Sequence, residues 1–213
     1  ALALVVAASS AACGDDDSGL PLAGVDCADL SPMPAIVTDI DETLTTSDAE
    51  FLQQVLDSSY VPAAREGSVE LIRGLYDRGY LILYLTARYE TLEMLDGSSA
   101  REATEQWLID LGFPMDPDRT RVVLAADSFD DAETVAYKRG AVEDLMAEGW
   151  GFEYAFGNAD TDIQAYAEAG IPLDVTYIIG DHAGEGGTVA VQGEDWLDHI
   201  ATNLDPTGRA CDF

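Results

Sequence analysis

The sequence AIVTDIDET, residues 35 to 43, places two aspartates directly after a short apolar run that is typical of a buried β-strand. Asp39 and Asp41 are two residues apart, and like charges this close repel and raise each other's pKa. A divalent cation relieves the repulsion, and Mg²⁺ prefers sites of carboxylates, water and substrate phosphate. In such a site one aspartate attacks phosphorus, and the other protonates the leaving oxygen and later activates water. The alternative is a helix-capping turn, because Asp and Thr both favour turns and N-caps.

Two later segments carry side chains suited to a phosphoryl group. The run YLILYLTAR, residues 80 to 88, has the length of a strand and ends in Thr86 and Arg88. The Thr86 hydroxyl can donate to a phosphoryl oxygen, and Arg88 can bind phosphate through two hydrogen bonds. Lys138 is the only lysine of the chain, and its compact ammonium can neutralise a phosphoryl group and a nucleophilic carboxylate together. The structural alternatives are a threonine that ends a strand and a solvated lysine on a helix.

The segment FGNADTD, residues 156 to 162, follows another apolar stretch. Asn158 and Asp162 would bring further oxygen ligands to a strand end, and such oxygens suit Mg²⁺. The alternative is an N-cap for a helix that begins near Thr161, and both interpretations can hold at once.

The order of these motifs, DxDxT, then Thr, then Lys, then GNxxxD, resembles the haloacid dehalogenase (HAD) superfamily of aspartate-nucleophile phosphatases. Within it, TDIDETLTTSD, LYLTAR and AFGNADTDIQAYAEAGIP resemble the catalytic domain of lipins, the Mg²⁺-dependent phosphatidate phosphatases. The resemblance covers residues 35 to 200. Glu42 stands where lipins have glycine, and the DxDET form occurs elsewhere in the superfamily, including secreted acid phosphatases.

The resemblance implies a role for each matching residue. Asp39 would be the nucleophile and a metal ligand, and Asp41 would be the general acid/base that also gives its backbone carbonyl to Mg²⁺. Asn158 and Asp162 would complete or orient the metal site. The residues that would bind the phosphoryl group or the substrate are Thr43, Thr86, Ala87, Arg88 and Lys138. The catalytic residues would be Asp39, Asp41, Thr86 and Lys138. Some lipin-like domains bind phosphatidate without hydrolysing it because a catalytic aspartate is missing, whereas this chain has both.

Strand-like and helical patterns alternate along the chain and predict an α/β fold. Strands are predicted near 35–39, 80–86, 121–125, 152–156 and 175–179, and helices near 47–58, 67–78, 98–111, 131–147, 161–169 and 193–203. This alternation predicts a Rossmann-like, five-stranded parallel sheet with helices on both faces and a site at the carboxyl ends of the strands. Two helices fill the segment between the first motif and Thr86, which leaves little or no room for a cap domain.

The N-terminal segment resembles a bacterial lipoprotein signal. Residues 1–12 are interpreted as the remnant of a signal peptide, and residues 13–30 as a lipidated Cys13 followed by an acidic tether, with the phosphatase domain at 31–213. The alternative is an alanine-rich leader. The lipoprotein interpretation predicts an extracytoplasmic protein anchored to a membrane, in the periplasm or at the cell surface. In such a compartment Cys27 and Cys211 can form a disulfide, whereas two free thiols would suit a cytosolic protein.

The net charge of −31, from 41 acidic and 10 basic residues, excludes nucleic-acid binding, which needs lysine and arginine against phosphate. An acidic surface also repels anionic lipid headgroups, although an N-terminal lipid anchor would hold the enzyme at a membrane. We expect a monomer.

The motifs therefore favour a Mg²⁺-dependent phosphatase that forms an aspartyl-phosphate and acts on phosphatidate or a related phospholipid phosphomonoester. The first alternative is a secreted acid phosphatase for soluble phosphate esters, which Glu42 and the acidic surface favour. The second is a non-catalytic lipid-binding domain, against which Asp39, Asp41 and Lys138 argue.

Overall fold

A computed structural model describes residues 24–127, 130–204 and 207–213. The predicted signal-peptide remnant, residues 1–12, and the predicted lipidation site Cys13 lie outside the described residues. Within the described part, no helix combines the length and the hydropathy that a membrane span requires.

The described residues form one sheet of six parallel strands in the order β3-β2-β1-β4-β5-β6. The strands are β1 Met33–Thr38, β2 Leu81–Tyr89, β3 Thr120–Ala125, β4 Trp150–Gly157, β5 Thr176–Ile178 and β6 Val189–Ala190. The α/β class and the parallel sheet are thus confirmed, but the predicted count of five strands was one too low. The added strand, β6, has two residues, and a segment that short has no alternation to reveal it.

Helices connect the strands and cover the sheet. They are α1 Ala49–Leu56, α2 Ser68–Asp77, α3 Ala100–Leu111, α4 Asp131–Ala147, α5 Asp160–Glu168 and the short α6 Leu197–His199, which continues as a wider turn over Ile200–Leu204. Reciprocal side-chain to backbone hydrogen bonds cap the starts of α3 and α4. Between β1 and β2, a span that is described throughout, the chain forms only α1 and α2, so there is no cap domain in it.

The core has two halves because side chains alternate between the two faces of the strands. On one face, Ile36 and Tyr84 pack with α2, α3 and the segment around Trp196. On the other, Val37 and Leu83 pack with α4 and α5. Both faces of the central strands are therefore buried, as is usual for a parallel sheet. A functional site can then lie only at the ends of these strands.

Cys27 and Cys211 form a disulfide that joins the two ends of the described fold. Both sulfurs lie near the carbonyl of Gly79, the turn residue that precedes β2. Gly79 has φ +96°, and a Cβ there would collide with the Cys211 carbonyl, so both backbone conformation and space require glycine. The disulfide therefore lies where β2 begins, at the edge of the sheet opposite the carboxyl ends of the strands.

Candidate active site

The carboxyl ends of β1, β2 and β4 bring three predicted site residues together. Asp39 follows β1, Thr86 lies near the end of β2, and Asn158 follows β4. These strands are neighbours in the sheet, and the Asp39 N–H donates to the Phe156 carbonyl at 3.0 Å. A cavity of about 870 Å³ opens above them. Asp39 is only 4% exposed, so its carboxylate forms part of the buried floor of this cavity.

Lys138 bridges two buried carboxylates in this floor. Helix α4 carries it, and its Nζ lies 2.6 Å from both Asp39 Oδ1 and Asp162 Oδ1. Burial alone would lower the pKa of Lys138, but the carboxylates of Asp162 and Asp39 raise it above the ordinary value, so the ammonium stays charged. The only lysine of the sequence is therefore placed against the predicted nucleophile.

Burial raises the pKa of Asp39 to about 7. Lys138 opposes this shift, whereas the carboxylates of Asp162 and Asp41 add to it. One ammonium therefore does not fully compensate the acidic groups that converge here.

Asp41 is held by Arg88 and Thr86. Arg88 Nη2 donates to Asp41 Oδ1 at 2.8 Å, Arg88 Nε lies 3.0 and 3.1 Å from its two carboxylate oxygens, and the Thr86 hydroxyl donates to Oδ2 at 3.0 Å. The guanidinium also donates to the Thr104 hydroxyl at 2.9 Å and lies over the Phe51 ring. Arg88 thus orients the predicted general acid/base in this structure, and its predicted contact with phosphate stays a prediction.

The GNxxxD segment forms the turn from β4 into α5. Asp162 Oδ2 accepts from the backbone N–H groups of Asn158 and Ala159 at 3.1 and 3.2 Å, while its other oxygen faces Lys138. A Cβ on Gly157 would come within 2.7 Å of Asp162 Cβ, so only glycine allows this approach. Asp162 therefore binds backbone N–H groups at the start of α5 and orients Lys138 at the same time. This contact agrees with the capping interpretation of the motif, while the metal-ligand interpretation stays a prediction.

The oxygens of this site suit Mg²⁺. Thr43 Oγ1 lies 3.2 Å from Asp39 Oδ2 and 3.0 Å from Asn158 Oδ1, but a hydroxyl has one proton and can satisfy only one of them at a time. Two such oxygens side by side fit a hard cation. In the described residues, no cluster of three or more acidic, histidine or cysteine side chains is arranged to hold a metal by itself. A ligand set would therefore draw on Asn158, backbone oxygen and water, and the predicted ligand roles of Asp39, Asp41, Asn158 and Asp162 stay predictions.

Several residues of the site were not predicted from the sequence. Trp196 is fully buried, and its indole N–H donates to the Thr43 carbonyl at 2.9 Å, which supports the loop after Asp39 from below. The lining also includes Arg65, apolar side chains and four further carboxylates from separate segments, which are Glu42, Asp48, Asp181 and Glu194. Of the residues predicted to bind substrate, Ala87, Arg88 and Lys138 line the cavity, whereas Thr43 and Thr86 are fully buried. No sequence pattern links these segments. Only Glu42 could be noticed in the sequence, because glutamate stands there where lipins have glycine.

A family model described as "PITM 1-3, LNS2 domain" matches residues 36–180, the span that contains every site residue from Asp39 to Asp162. The chain belongs to the LNS2 domain family. The prediction of a lipin-like domain of the HAD phosphatase type is thereby confirmed. No curated protein is similar enough to this LNS2 domain to count as a match.

Solved structures with a similar fold include several phosphatases. A D,D-heptose 1.7-bisphosphate phosphatase from B. bronchiseptica complexed with magnesium and phosphate has 15% identity and a TM-score of 0.51, over 79% of this chain and 98% of that chain. Phosphoserine phosphatase in apo form has 16% identity and a TM-score of 0.52, over the same shares. A class C acid phosphatase from Bacillus anthracis with tungstate bound has 18% identity and a TM-score of 0.42, over 63% of this chain. The chain spans 55% of the length of that acid phosphatase. The first two likenesses, with TM-scores above 0.5, show a shared fold.

Proposed function

We propose that this LNS2 domain is a Mg²⁺-dependent phosphomonoesterase with Asp39 as its nucleophile. The observation that carries the proposal is the buried Asp39 carboxylate at the floor of an open cavity, with Lys138 Nζ 2.6 Å from one oxygen and Asp41 two residues away. Asp39 and Asn158 would hold Mg²⁺, which supplies positive charge against the phosphoryl oxygens.

The reaction would proceed in two displacements. In the first, an Asp39 oxygen forms a bond to phosphorus, the bond from phosphorus to the ester oxygen breaks, and Asp41 gives that oxygen its proton. In the second, water attacks phosphorus, Asp41 takes up the proton, and the aspartyl–phosphate bond breaks to release inorganic phosphate. Lys138 stabilises the charge that develops on the phosphoryl oxygens, and Arg88 and Thr86 keep Asp41 in place.

For the substrate, we propose phosphatidate or a related phospholipid phosphomonoester. The lipin-like family supports this choice, and so does the lack of a cap between β1 and β2, which leaves room for a bulky substrate. Exposed aliphatic side chains offer further support, because α1 lines the cavity through Phe51 and also carries the exposed Leu52 and Leu56. Leu95, 68% exposed, belongs to the loop after β2 that lines the cavity through Leu92.

A second candidate substrate class is soluble phosphate esters. The carboxylates of Asp48, Asp181 and Glu194 around the cavity favour it, because they would repel an anionic membrane surface. Both candidates share the chemistry of Asp39, and they differ only in what the phosphate is attached to.

We further propose an extracytoplasmic location with a lipid anchor on Cys13. The disulfide between Cys27 and Cys211 supports an oxidising compartment. Mass spectrometry of the N-terminal peptide of the membrane-extracted protein tests this proposal, and an unmodified Cys13 thiol would contradict it.

The function is tested by phosphate release from short-chain phosphatidate in detergent and from an aryl phosphate, with and without Mg²⁺. Asp39→Asn should lower turnover on the order of 10⁴-fold or more while the protein keeps its fold. Asp181→Asn is the matched control, because it removes a carboxylate from the cavity lining without touching Asp39, and it should keep most of the activity. Substantial turnover by pure Asp39→Asn protein would refute Asp39 as the nucleophile. Turnover of the aryl phosphate alone would move the substrate to soluble esters, and metal-dependent release from either would exclude a purely lipid-binding role.

A further inference from the structure

The backbone of Glu42 adopts a conformation that favours glycine. Its φ is +58°, and within the described residues it is the only non-glycine residue with positive φ. Its surroundings maintain this conformation: the Glu42 N–H donates to Thr45 Oγ1 at 3.0 Å, and its carbonyl accepts from Arg65 Nη2 at 2.6 Å. A strained backbone conformation beside an active site suggests that the side chain at that position has a function there.

The side chain of Glu42 contacts the amide of Asn158. Asn158 Nδ2 donates to Glu42 Oε2 at 3.1 Å, across a junction between the loop after β1 and the loop after β4. A carboxamide has a donor end and an acceptor end, so a carboxylate that takes the donor end determines where the acceptor end points. Asn158 Oδ1 is thereby directed toward Thr43 Oγ1 at 3.0 Å and to the side of Asp39 where the oxygens converge.

We infer that Glu42 is a positioning residue that orients Asn158 Oδ1 toward the cation of the active site. The inference rests on the proposed function, because it assumes that Asp39 and Asn158 hold a divalent cation. It also gives a reason for glutamate at a position where glycine would relieve the backbone, since glycine offers no acceptor to Asn158 Nδ2. Groups outside the coordination sphere that orient metal ligands commonly change metal affinity by about 10- to 100-fold.

Three variants separate the effect of Glu42 on the orientation of Asn158 from the effect of its negative charge. Glu42→Gly removes the acceptor and relieves the backbone. Glu42→Gln removes the charge but keeps a carbonyl that can accept from Asn158 Nδ2. Asp48→Asn is the matched control, because the Asp48 carboxylate lies close enough to interact with those of Glu42 and Asp41 but has no hydrogen bond to Asn158 among those described.

The measurement is Mg²⁺ and Mn²⁺ binding by titration calorimetry without substrate, together with the thermal midpoint of each variant. We expect Glu42→Gly to bind the metal about 10-fold or more weakly than the wild type while its thermal midpoint is equal or higher. Glu42→Gln and Asp48→Asn should weaken metal binding to a similar extent, and both should weaken it less than Glu42→Gly does. Glu42→Gly protein that binds metal as tightly as the wild type would overturn the inference, and so would Asp48→Asn protein weakened as much as Glu42→Gly.

The outcome is distinguishable from failure of the proposed function. Wild-type protein that binds Mg²⁺ but releases no phosphate from any ester would refute the proposed activity, and the binding comparison would still decide the role of Glu42. Wild-type protein that binds no divalent cation would overturn the inference about Glu42 directly.

Discussion

At the scale of single residues, Lys138 is a buried cation that faces two carboxylates of the site. Its ammonium is buried between Asp39 and Asp162, and one oxygen of each carboxylate lies 2.6 Å from Nζ. Removal of one partner from a buried ion pair leaves an uncompensated charge, which costs much more than the pair contributes in net terms. The arrangement therefore links the stability of the fold to the charges that the proposed reaction uses.

Lys138→Met should lower the free energy of unfolding by about 3–5 kcal/mol at pH 7, because Asp39 and Asp162 lose their shared cation and Asp39 must take up a proton to stay buried. Asp39→Asn introduced into that variant replaces this carboxyl group by a neutral amide and should recover part of the loss. Urea unfolding of the wild type, both single variants and the double variant measures the coupling. Strictly additive effects would contradict a direct interaction between Lys138 and Asp39.

The residues that carry the chemistry were predictable, but most of their mutual contacts were not. Asp39, Thr86 and Asn158 follow apolar runs, so their meeting at one edge of a parallel sheet follows from the pattern alone. Arg88 was expected to face phosphate, yet in the structure its donors face Asp41 and Thr104. Such a choice depends on distances across the folded molecule, which the sequence pattern does not contain.

At the scale of elements, the segment that begins with α6 closes the aromatic part of the core behind the site. His199 packs edge-on against Tyr177, with ring centroids 4.4 Å apart, and also contacts Trp196 and Phe156. Burial lowers the pKa of His199 to about 4, so it is neutral in the folded protein at neutral pH.

The contribution of His199 to the stability of the fold should fall as the pH falls from about 6.5 to 4, because the unfolded chain protonates His199 in this window and the folded chain does not. Asp39 acts in the opposite direction, since its pKa of about 7 lets the folded chain take up a proton that the unfolded chain does not bind. His199→Phe should therefore shift the change in unfolding free energy across the window by an amount of order 2 kcal/mol, in favour of folding at low pH. Urea unfolding at several pH values measures it, with His182→Asn, a variant of the half-exposed histidine, as control. An unchanged slope in His199→Phe would contradict the buried neutral state.

The prediction of elements succeeded where a segment is long and periodic. The pattern from 131 to 147 coincides with α4, and the predicted helix at 98–111 begins two residues before α3. It was less accurate from 193 to 203, where the helix is confined to Leu197–His199 and a wider turn follows. This segment owes its course to packing around Trp196, which is a tertiary effect that overrides local propensity.

At the scale of the whole molecule, the disulfide secures the ends of the fold far from the chemistry. It closes a sequence separation of 184 residues between Cys27 and Cys211, next to the turn that precedes β2. A cross-link over such a long loop restricts the unfolded chain strongly.

The double variant Cys27→Ser/Cys211→Ser should lose about 2–5 kcal/mol of unfolding free energy. Its turnover per folded molecule should match the wild type, because the cavity lies at the opposite edge of the sheet. Urea unfolding and kcat measured at low temperature test the two statements separately. A well-folded double variant with strongly reduced kcat would contradict the separation between disulfide and site.

The surface combines a net charge of −31 with exposed leucines on α1, and these features favour different substrates. If phosphatidate is the substrate, Leu52→Ser/Leu56→Ser should lower turnover of phosphatidate in micelles several-fold and leave turnover of an aryl phosphate unchanged. Phe213→Ser serves as control, since Phe213 is 60% exposed and lies two residues from the disulfide. If the wild type and both variants turned over micellar phosphatidate equally, Leu52 and Leu56 would not support a lipid substrate.

The meeting of the two ends of the described fold beside Gly79 also bears on how the domain can be handled. Because the ends of the described fold are joined at one edge and the cavity opens at the other, attachment to a bead or an electrode through either end would leave the cavity facing the solution. The same geometry makes the domain suited to circular permutation, in which a short linker replaces the disulfide and new ends are opened in an exposed loop.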